Sequence, residues 1–483
     1  MSERKRSPRD SVASATIRPG LGRHDTIVAV ATPLGRSAVS VIRLSGADAE
    51  HFSKRCVTPW PSQARVLGRC HVHEPDDPSR AIDDGLVVVF PAPRSYTGET
   101  VVEIHGHGGT YIATAMQAAL VAAGARPALA GEFTERATLN GKLDLVRAEA
   151  IGELIDARTH ASHRAAMQAL SGVLTRRYAE LRNEAIGVEA LIAYDIDFPD
   201  EEHGPVARER IHAAATALSA QIQELLATQP AVILARDGAV VVLAGPPNAG
   251  KSSLFNALIG EARVIVSDEP GTTRDAVEVL MDADPWPFRL VDTAGLREDA
   301  EAVERLGIEV SERYLKGADV VVACAESVEG LSNAIRRVAA LTEAPVVGVL
   351  TKADIVRPTA TVSGTRPLAV SALTGEGLVE LQARITTVVA SRIGDLDSLP
   401  PLVASARQRA ALETADRELT LFRAHWNDES LPAPIAATHL RAAIGALDQL
   451  IGTIDIDEIF SRVFATFCVG EIALARISHE GDC

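Results

Sequence analysis

The sequence predicts three domains: an α+β domain first, then an all-α domain split by an inserted parallel α/β domain. Three observations carry this reading. Short β-branched runs alternate with a helical stretch from Asp25 to about Leu143. At Asp144 the pattern changes, and apolar residues recur at helical spacing with almost no Gly or Pro to about Phe198. From Ala239 strands and helices alternate again to about Ile393, after which long helical stretches return up to Phe467.

The first domain's predicted strands are Asp25–Thr32, Ala38–Leu44, Leu86–Phe90 and Val101–His105, with a helix over Gly109–Gly124 that ends at its glycine. Arg208–Thr228 is a further helix before the insertion. Within the insertion the predicted strands are Ala239–Ala244, Phe288–Val291, Asp319–Ala323, Pro345–Leu350 and Leu368–Val370. A Pro/Leu linker at Ser398–Leu402 closes it. The expected boundaries are therefore 1–24 (tail), 25–143 (N-terminal α+β), 144–236 (helical, first part), 237–395 (inserted domain) and 396–483 (helical, second part, with the C-terminal tail).

At 483 residues the chain has material for two to four cores. Its 47% hydrophobic and 23% charged content is that of an ordinary soluble protein, and no apolar run approaches a membrane-spanning length. A net charge of −16 excludes coating nucleic acid through a global positive field, so any RNA contact needs a local patch or a partner. Five scattered cysteines (Cys56, Cys70, Cys324, Cys468 and Cys483) argue against a disulfide framework and for a reducing compartment, and the expected location is cytoplasmic. The first 24 residues lack the apolar core of a secretory signal and read as a disordered tail; Glu3 and Asp10 interrupt the pattern of an organelle presequence.

The inserted domain carries ordered nucleotide motifs. Gly245-Pro-Pro-Asn248-Ala249-Gly250-Lys251-Ser252, followed by Ser253, fits G-x-x-x-x-G-K-[ST] between a predicted strand and helix. Such glycines let backbone N–H groups turn around phosphate oxygens, and the following helix adds its positive end. Lys251 would meet the β- and γ-phosphates, and Ser252 would ligate Mg²⁺. Asp292-Thr293-Ala294-Gly295 follows a strand, where the Asp can hold Mg²⁺ through water and the Gly N–H can sense the γ-phosphate. Between them, Gly271-Thr272-Thr273-Arg274 offers Thr273 as a second Mg²⁺ ligand on a switch loop. Thr351-Lys352-Ala353-Asp354 follows another strand, and a carboxylate there accepts two hydrogen bonds from the guanine edge, which adenine cannot supply. Ser371-Ala372-Leu373 resembles the last guanine-contact motif. Together these predict a GTP-binding, GTP-hydrolysing P-loop G domain.

Two departures stand out. The usual guanine motif begins with Asn, and Thr351 takes its place, which predicts weaker nucleotide binding with specificity kept by Asp354. Leu296 stands where many GTPases orient water with Gln, so hydrolysis needs another polar group or a partner; Glu304, in an acidic segment, is the candidate.

Around this site the chain resembles the tRNA-modification GTPase family MnmE, also called TrmE. The resemblance rests on Ala31-Thr-Pro-Leu-Gly-Arg36, Val41-Ile-Arg-Leu-Ser-Gly46, Ser95-Tyr-Thr-Gly-Glu99, Gly131-Glu-Phe-Thr134, Leu139-Asn-Gly-Lys-Leu-Asp144, Asp197-Phe-Pro-Asp-Glu201 and Phe467-Cys468, and runs from about Asp25 to Gly470. It implies a homodimer that works with the FAD-containing flavoprotein MnmG on the wobble uridine (position 34) of certain tRNAs. The pair adds an aminomethyl or carboxymethylaminomethyl group at C5, using a 5-formyl- or methylene-tetrahydrofolate donor. It also implies K⁺-dependent pairing of G domains during hydrolysis. By resemblance Arg43, Glu103 and Lys142 are folate contacts. Asn248 is a K⁺ ligand in a site completed by the loop of Ser267, Asp268, Glu269, Pro270, Gly271 and Thr272; of these, Ser267, Glu269 and Thr272 are further K⁺ ligands. Glu304 helps orient water, and Cys468 is the functional cysteine.

The folate contacts and the cysteine have plainer alternatives. Arg43 and Glu103 taken alone read as a strand ion pair, Lys142 as a solvated loop lysine, and Cys468 as a small buried residue beside Phe464 and Phe467. The C-terminus departs from the family's Cys-Ile-Gly-Lys: Glu471 replaces the lysine that helps hold the folate. Cys70-His71-Val-His73 and His105-Gly-His107 resemble metal ligands in isolation but lack the second half of a zinc signature, which favours structural roles. The motifs of the inserted domain alone would also suit a ribosome-assembly or RNA-binding switch GTPase, which would normally bring a basic module after residue 400. A metallocluster-maturation GTPase would need clustered ligands. No dinucleotide fingerprint is present, so redox chemistry would lie on the partner's flavin.

Overall fold

In the computed structural model, the described residues are 25–197, 207–261, 264–265, 277–292, 313–355, 367–427 and 433–452. Contacts group the chain into two units, one running through Gly152 and taking in Gly452, the other Glu153–Ile451.

The first unit is built on a seven-stranded sheet. Its elements are β1 (Ile27–Val30), β2 (Val39–Ser45), α1 (Ala49–Lys54), β3 (Val57–Thr58), β4 (Gly68–Glu74), β5 (Asp77–Phe90), β6 (Val101–His107), α2 (Thr110–Ala122), β7 (Arg126–Pro127) and α3 (Glu132–Leu139). The strand order is β3-β4-β5-β6-β2-β1-β7. Successive side chains of a strand point to opposite faces, which sorts the core. Ile42 and Leu44 join Val102, Ile104, Met116 and Leu120 in a core with α2, while Ile27 and Ala29 pack with Phe133 of α3 in a separate one.

This sheet goes beyond the sequence-based expectation. β5 begins at Asp77 rather than Leu86, the short β3 and β7 are additional, and so is β4, whose register runs Gly68↔Val87 to Glu74↔Asp77. β4 contains the Cys-His run, and its alternation explains the burial there. Cys70 and Val72 are in the core, whereas His71 is exposed and pairs with Asp84. His73 meets Thr58 Oγ1 at 3.0 Å and the Glu74 carbonyl at 2.8 Å. His107 Nδ1 lies 2.8 Å from Asp83 Oδ1. Among the described residues no group of three or more ligating side chains is placed to hold a metal.

α4 (Leu145–Asp156), α5 (His160–Leu170) and α6 (Val173–Asp197) replace the expected continuous helical stretch. The break before α5 is local chemistry: the Thr159 side chain accepts from Ser162 N, and the Ser162 side chain accepts from Thr159 N. α7 (Arg208–Leu226) and α8 (Gln229–Asp237) follow.

The inserted domain comprises β8 (Ala239–Ala244), α9 (Lys251–Glu261), β9 (Val264–Ile265), β10 (Val277–Met281), β11 (Phe288–Asp292), β12 (Val320–Ala325), α10 (Val328–Ala339), β13 (Val346–Leu350), β14 (Leu368–Ala369) and α11 (Leu378–Ile393). The strand order is β14-β13-β12-β8-β11-β10-β9, with β14 to β11 parallel and β10 and β9 antiparallel. β12 is buried throughout, as expected of a central strand covered on both faces. α12 (Ala406–Asn427) and α13 (Ala433–Ile451) pack on each other, α12 also on α7 and α13 on α6. Tyr178 Oη donates to Gln408 Oε1 at 2.8 Å inside this bundle, and Trp426 Nε1 donates to the Arg208 carbonyl at 3.1 Å. Among the described residues no helix is long and apolar enough to cross a membrane.

Candidate functional site

The nucleotide motifs converge at one end of the second sheet. The loop after β8, Asp292 as the last residue of β11, the Thr351–Asp354 segment after β13 and Ser371 after β14 all sit at carboxyl ends of parallel strands. Open α/β sheets bind ligands at that end.

The phosphate loop leaves buried β8 and enters α9 at Lys251. Gly245 has φ +154, and a Cβ there would overlap the Cys324 carbonyl oxygen, so no other residue fits without moving β12. Asn248 has φ 62 and is exposed at the loop's tip. Lys251 is 9% exposed, and its Nζ donates to the carbonyls of Gly245 (3.1 Å) and Pro246 (3.0 Å), arching over the loop. Ser252 and Ser253 are exposed in the first turn of α9, Ala249 is buried, and Asp292 is buried at its strand end. Cys324, beneath the loop, is fully buried with its thiol pushed up to about 12 by that burial, which makes it an inert core residue.

The base-reading segment is held residue by residue. The Thr351 hydroxyl lies 2.9 Å from the Ala249 carbonyl and 3.2 Å from that of Ala325. Lys352, in the left-handed region at φ 59, pairs with Glu326. Ala353 N donates to the Val370 carbonyl at 3.2 Å. Asp354 Oδ1 accepts from Ser371 Oγ at 2.6 Å, which leaves Oδ2 for a ligand, and Ala372 is half-buried beside them. The switch-loop ligands expected at 267–273, the 293–295 part of Asp-Thr-Ala-Gly, Leu296, Glu304, Cys468 and Glu471 lie outside the described residues.

In the first sheet, β2 and β6 place Arg43 directly opposite Glu103. Arg43 Nε donates to Glu103 Oε1 at 2.9 Å, and its guanidinium lies 5.6 Å from the Phe133 ring centroid. Burial pushes the Glu103 carboxyl up, but His105, 3.4 Å from Oε2, and Arg43 outweigh it and hold the group below the usual glutamate range. Lys142 is half-buried with its stem against Gly98: a Cβ there would sit 3.4 Å from Lys142 Cε.

Beside this pair is a network that sequence reasoning missed. Arg126 and Arg136 share Asp25 and Glu132: Arg126 Nε to Asp25 Oδ2 is 2.6 Å, Arg126 Nη2 to Glu132 Oε1 2.6 Å, and Arg136 Nη2 to Asp25 Oδ1 2.8 Å. Arg136 also reaches Glu99 Oε2 at 3.1 Å, which Ser45 Oγ meets at 2.7 Å. Tyr96 Oη and Thr134 Oγ1 are 2.7 Å apart. The one signal for it in the sequence is that Tyr96, Glu99, Glu132 and Thr134 all fall in the distinctive stretches 95–99 and 131–134.

A family model for the MnmE helical domain matches residues 145–468, and one for the N-terminus of the GTP-binding protein TrmE matches 26–142. The chain belongs to the MnmE family of tRNA modification GTPases. It is a GTP hydrolase with the α+β, helical and G-domain parts of that family. The tRNA modification GTPase MnmE of Moorella thermoacetica is 37% identical, with 92% of this chain and 99% of that protein covered. Its counterparts from Aquifex aeolicus (35%; 92% and 100%) and Thermus thermophilus (39%; 92% and 99%) are similarly close. Over 31% of the chain it also resembles the G domain of the T. maritima FeoB iron transporter, at 28% identity, 98% coverage of that chain and a TM-score of 0.26.

Proposed function

We propose that this GTPase acts as a cytoplasmic homodimer with the FAD-containing flavoprotein MnmG to modify C5 of the wobble uridine of certain tRNAs. The GTP step does no uridine chemistry; its product is a change of dimer geometry. The observation that carries the reading is the convergence of Lys251, Asp292 and Asp354 at the carboxyl ends of β8, β11 and β13. Phosphate contacts at one end and a guanine-reading carboxylate at the other are what a GTP-driven switch requires.

In this proposal Lys251 neutralises charge on the β- and γ-phosphates, and backbone N–H groups of 248–253 cradle them. Ser252, Thr273 and Asp292 hold Mg²⁺, directly or through water. An exposed hydroxyl and a buried strand-end carboxylate are hard oxygen donors that suit it. Lys352, Asp354, Ser371 and Ala372 hold the base. Asn248, exposed at the loop tip, contributes to a K⁺ site with Ser267, Glu269 and Thr272. K⁺ would supply positive charge where an arginine finger would place it, and Glu304 orients water. The ionised Glu103 has the acceptors to read the donor-rich edge of a folate pterin, with Arg43 holding that carboxylate and Lys142 facing the anionic tail. Cys468 is assigned a functional role. The division at 143/144, 236/237 and 395/396 belongs to this proposal; β8 starting at Ala239 and α11 ending at Ile393 support it.

The test is GTP turnover and dimer closure in matched K⁺ and Na⁺ buffers. Stimulation by K⁺ that is lost in Asn248→Ala is the expected result. Equal rates in both salts would remove the cation mechanism and favour a partner-activated switch.

A further inference from the structure

We infer that the turn between β10 and β11, residues 282–287, carries the nucleotide state of the G domain into the helical domain, with Asp282 and Trp286 as its positioning residues. The inference rests on the proposal that the GTP step changes the geometry of a dimer. It goes beyond that proposal by naming the element through which the change leaves the G domain.

The turn holds α5 and both seams of the insertion. Asp282 Oδ1 accepts from the His160 backbone N at 2.8 Å, so a G-domain carboxylate caps the first turn of α5. The first N–H groups of a helix lack partners within it, and that end favours negative charge. Asp284 Oδ1 lies 3.9 Å from both His160 Nδ1 and Arg164 Nη1 of the same helix. Trp286 is fully buried, and its Nε1 donates to the Gly394 carbonyl at 2.9 Å, where the chain leaves α11. The entry seam is fastened to the same hairpin. Ala239 N donates to the Pro287 carbonyl at 3.0 Å, and at Gly238, with φ 75, a Cβ would sit 2.8 Å from Leu280 Cδ1.

The other end of the hairpin is at the nucleotide site. β10 and β11 pair from Val277↔Asp292 to Met281↔Phe288, so Asp292 and the turn are opposite ends of one ladder. In the chain, β10 follows the 267–273 motif and β11 runs into 293–295. Segments of those two kinds are the ones that respond to a γ-phosphate. A shift of the ladder reaches the helical domain because the far end is packed, not free. Ala161, Leu234, Trp286, Phe288, Leu396 and Leu402 share one buried core, and close-packed interiors transmit a displacement rather than absorb it.

The experiment follows hydrogen–deuterium exchange at 160–164 and 394–399 in the full-length protein with GDP and with a non-hydrolysable GTP analogue. X-ray scattering of the same samples reports dimer geometry. In the wild type, exchange at both segments should differ by about fivefold or more between the two nucleotides. Asp282→Ala should cut that ratio below about twofold at 160–164 and keep it at 394–399. Trp286→Phe, which keeps an aromatic ring and loses the N–H, should do the reverse. Asp282→Asn retains an accepting oxygen and should match the wild type. A cap that only stabilises α5 would, when removed, raise exchange at 160–164 equally with both nucleotides and leave their ratio in place. That outcome, or a wild type that binds both nucleotides while neither segment distinguishes them, would overturn the inference. Segments that respond while scattering shows the same dimer with both nucleotides would instead overturn the dimer-geometry reading alone.

Discussion

In the G domain the phosphate loop is fixed chiefly through its backbone, Gly245 close on the Cys324 carbonyl and loop carbonyls held by the Thr351 hydroxyl and by Lys251 Nζ. In the N-terminal sheet the candidate donor site is fixed by charge, Arg43 on Glu103 beside a knot of two arginines and three carboxylates. The difference shows why one site is easy to recognise and the other is not. A loop that presents N–H groups needs glycines at set spacing, which leaves a written motif. An arginine–glutamate pair across two strands has the same form whether it binds a ligand or only closes a sheet.

The contrast is most exposed to test at the knot. Arg136→Ala should leave Asp25, Glu99 and Glu132 short of a cation and cost about 3–5 kcal/mol of N-terminal stability by chemical denaturation. GDP affinity should stay unchanged, and a loss below about 1 kcal/mol would show that the network is not needed. At the loop, Lys251→Ala should lower GTP turnover by about 10²–10³-fold while leaving the unfolding midpoint in place, measured by phosphate release and thermal melts.

Acid should separate the two regions further. Burial works to raise the Asp25 and Glu132 carboxyls, but Arg126 and Arg136 outweigh it and hold both below their ordinary values of 3.8 and 4.5. Their stabilisation is therefore complete above about pH 5 and lost as pH falls through the lowered folded values. Denaturation from pH 6 to pH 3 should weaken the N-terminal unit progressively, and less so in Arg136→Ala, where the linkage is already reduced. The smallest effect belongs to Glu326→Gln: the pair with Lys352 is nearly half exposed, so GDP affinity should shift by no more than about 0.5 kcal/mol.

The parallel strands of the G domain are legible in the sequence because they are apolar runs ending at motif residues, as β8 does at the phosphate loop and β13 at Thr351, whereas the antiparallel edge strands β9 and β10 are not read there. Only the last third of β5 is legible in the same way, because Asp77–Gly85 is polar and largely exposed, with burial concentrated at Val87–Val89. β4 is hidden because its alternation is written in Cys, His and Val, and its histidines suggest metal chemistry instead. The arginine knot joins residues up to 111 positions apart, a separation that local spacing does not reveal. The contact of the Thr351 hydroxyl with the Ala249 carbonyl is likewise invisible in the sequence, since only the folded chain brings the two together.

The most direct test of the GTPase assignment uses the Asp354–Ser371 bond. With Ser371 donating to Oδ1, Asp354→Asn can keep that bond through its amide oxygen and turn its NH₂ group towards the base. Xanthine carries a carbonyl where guanine carries an amino group, so the variant should reverse the preference. Turnover of GTP, XTP and ATP would be measured for wild type and Asp354→Asn. The expected result is a wild type that hydrolyses GTP alone and a variant that favours XTP over GTP by about 10²-fold or more. A wild type that hydrolyses ATP equally well, or a variant that keeps its preference for GTP, would contradict the assignment of this site.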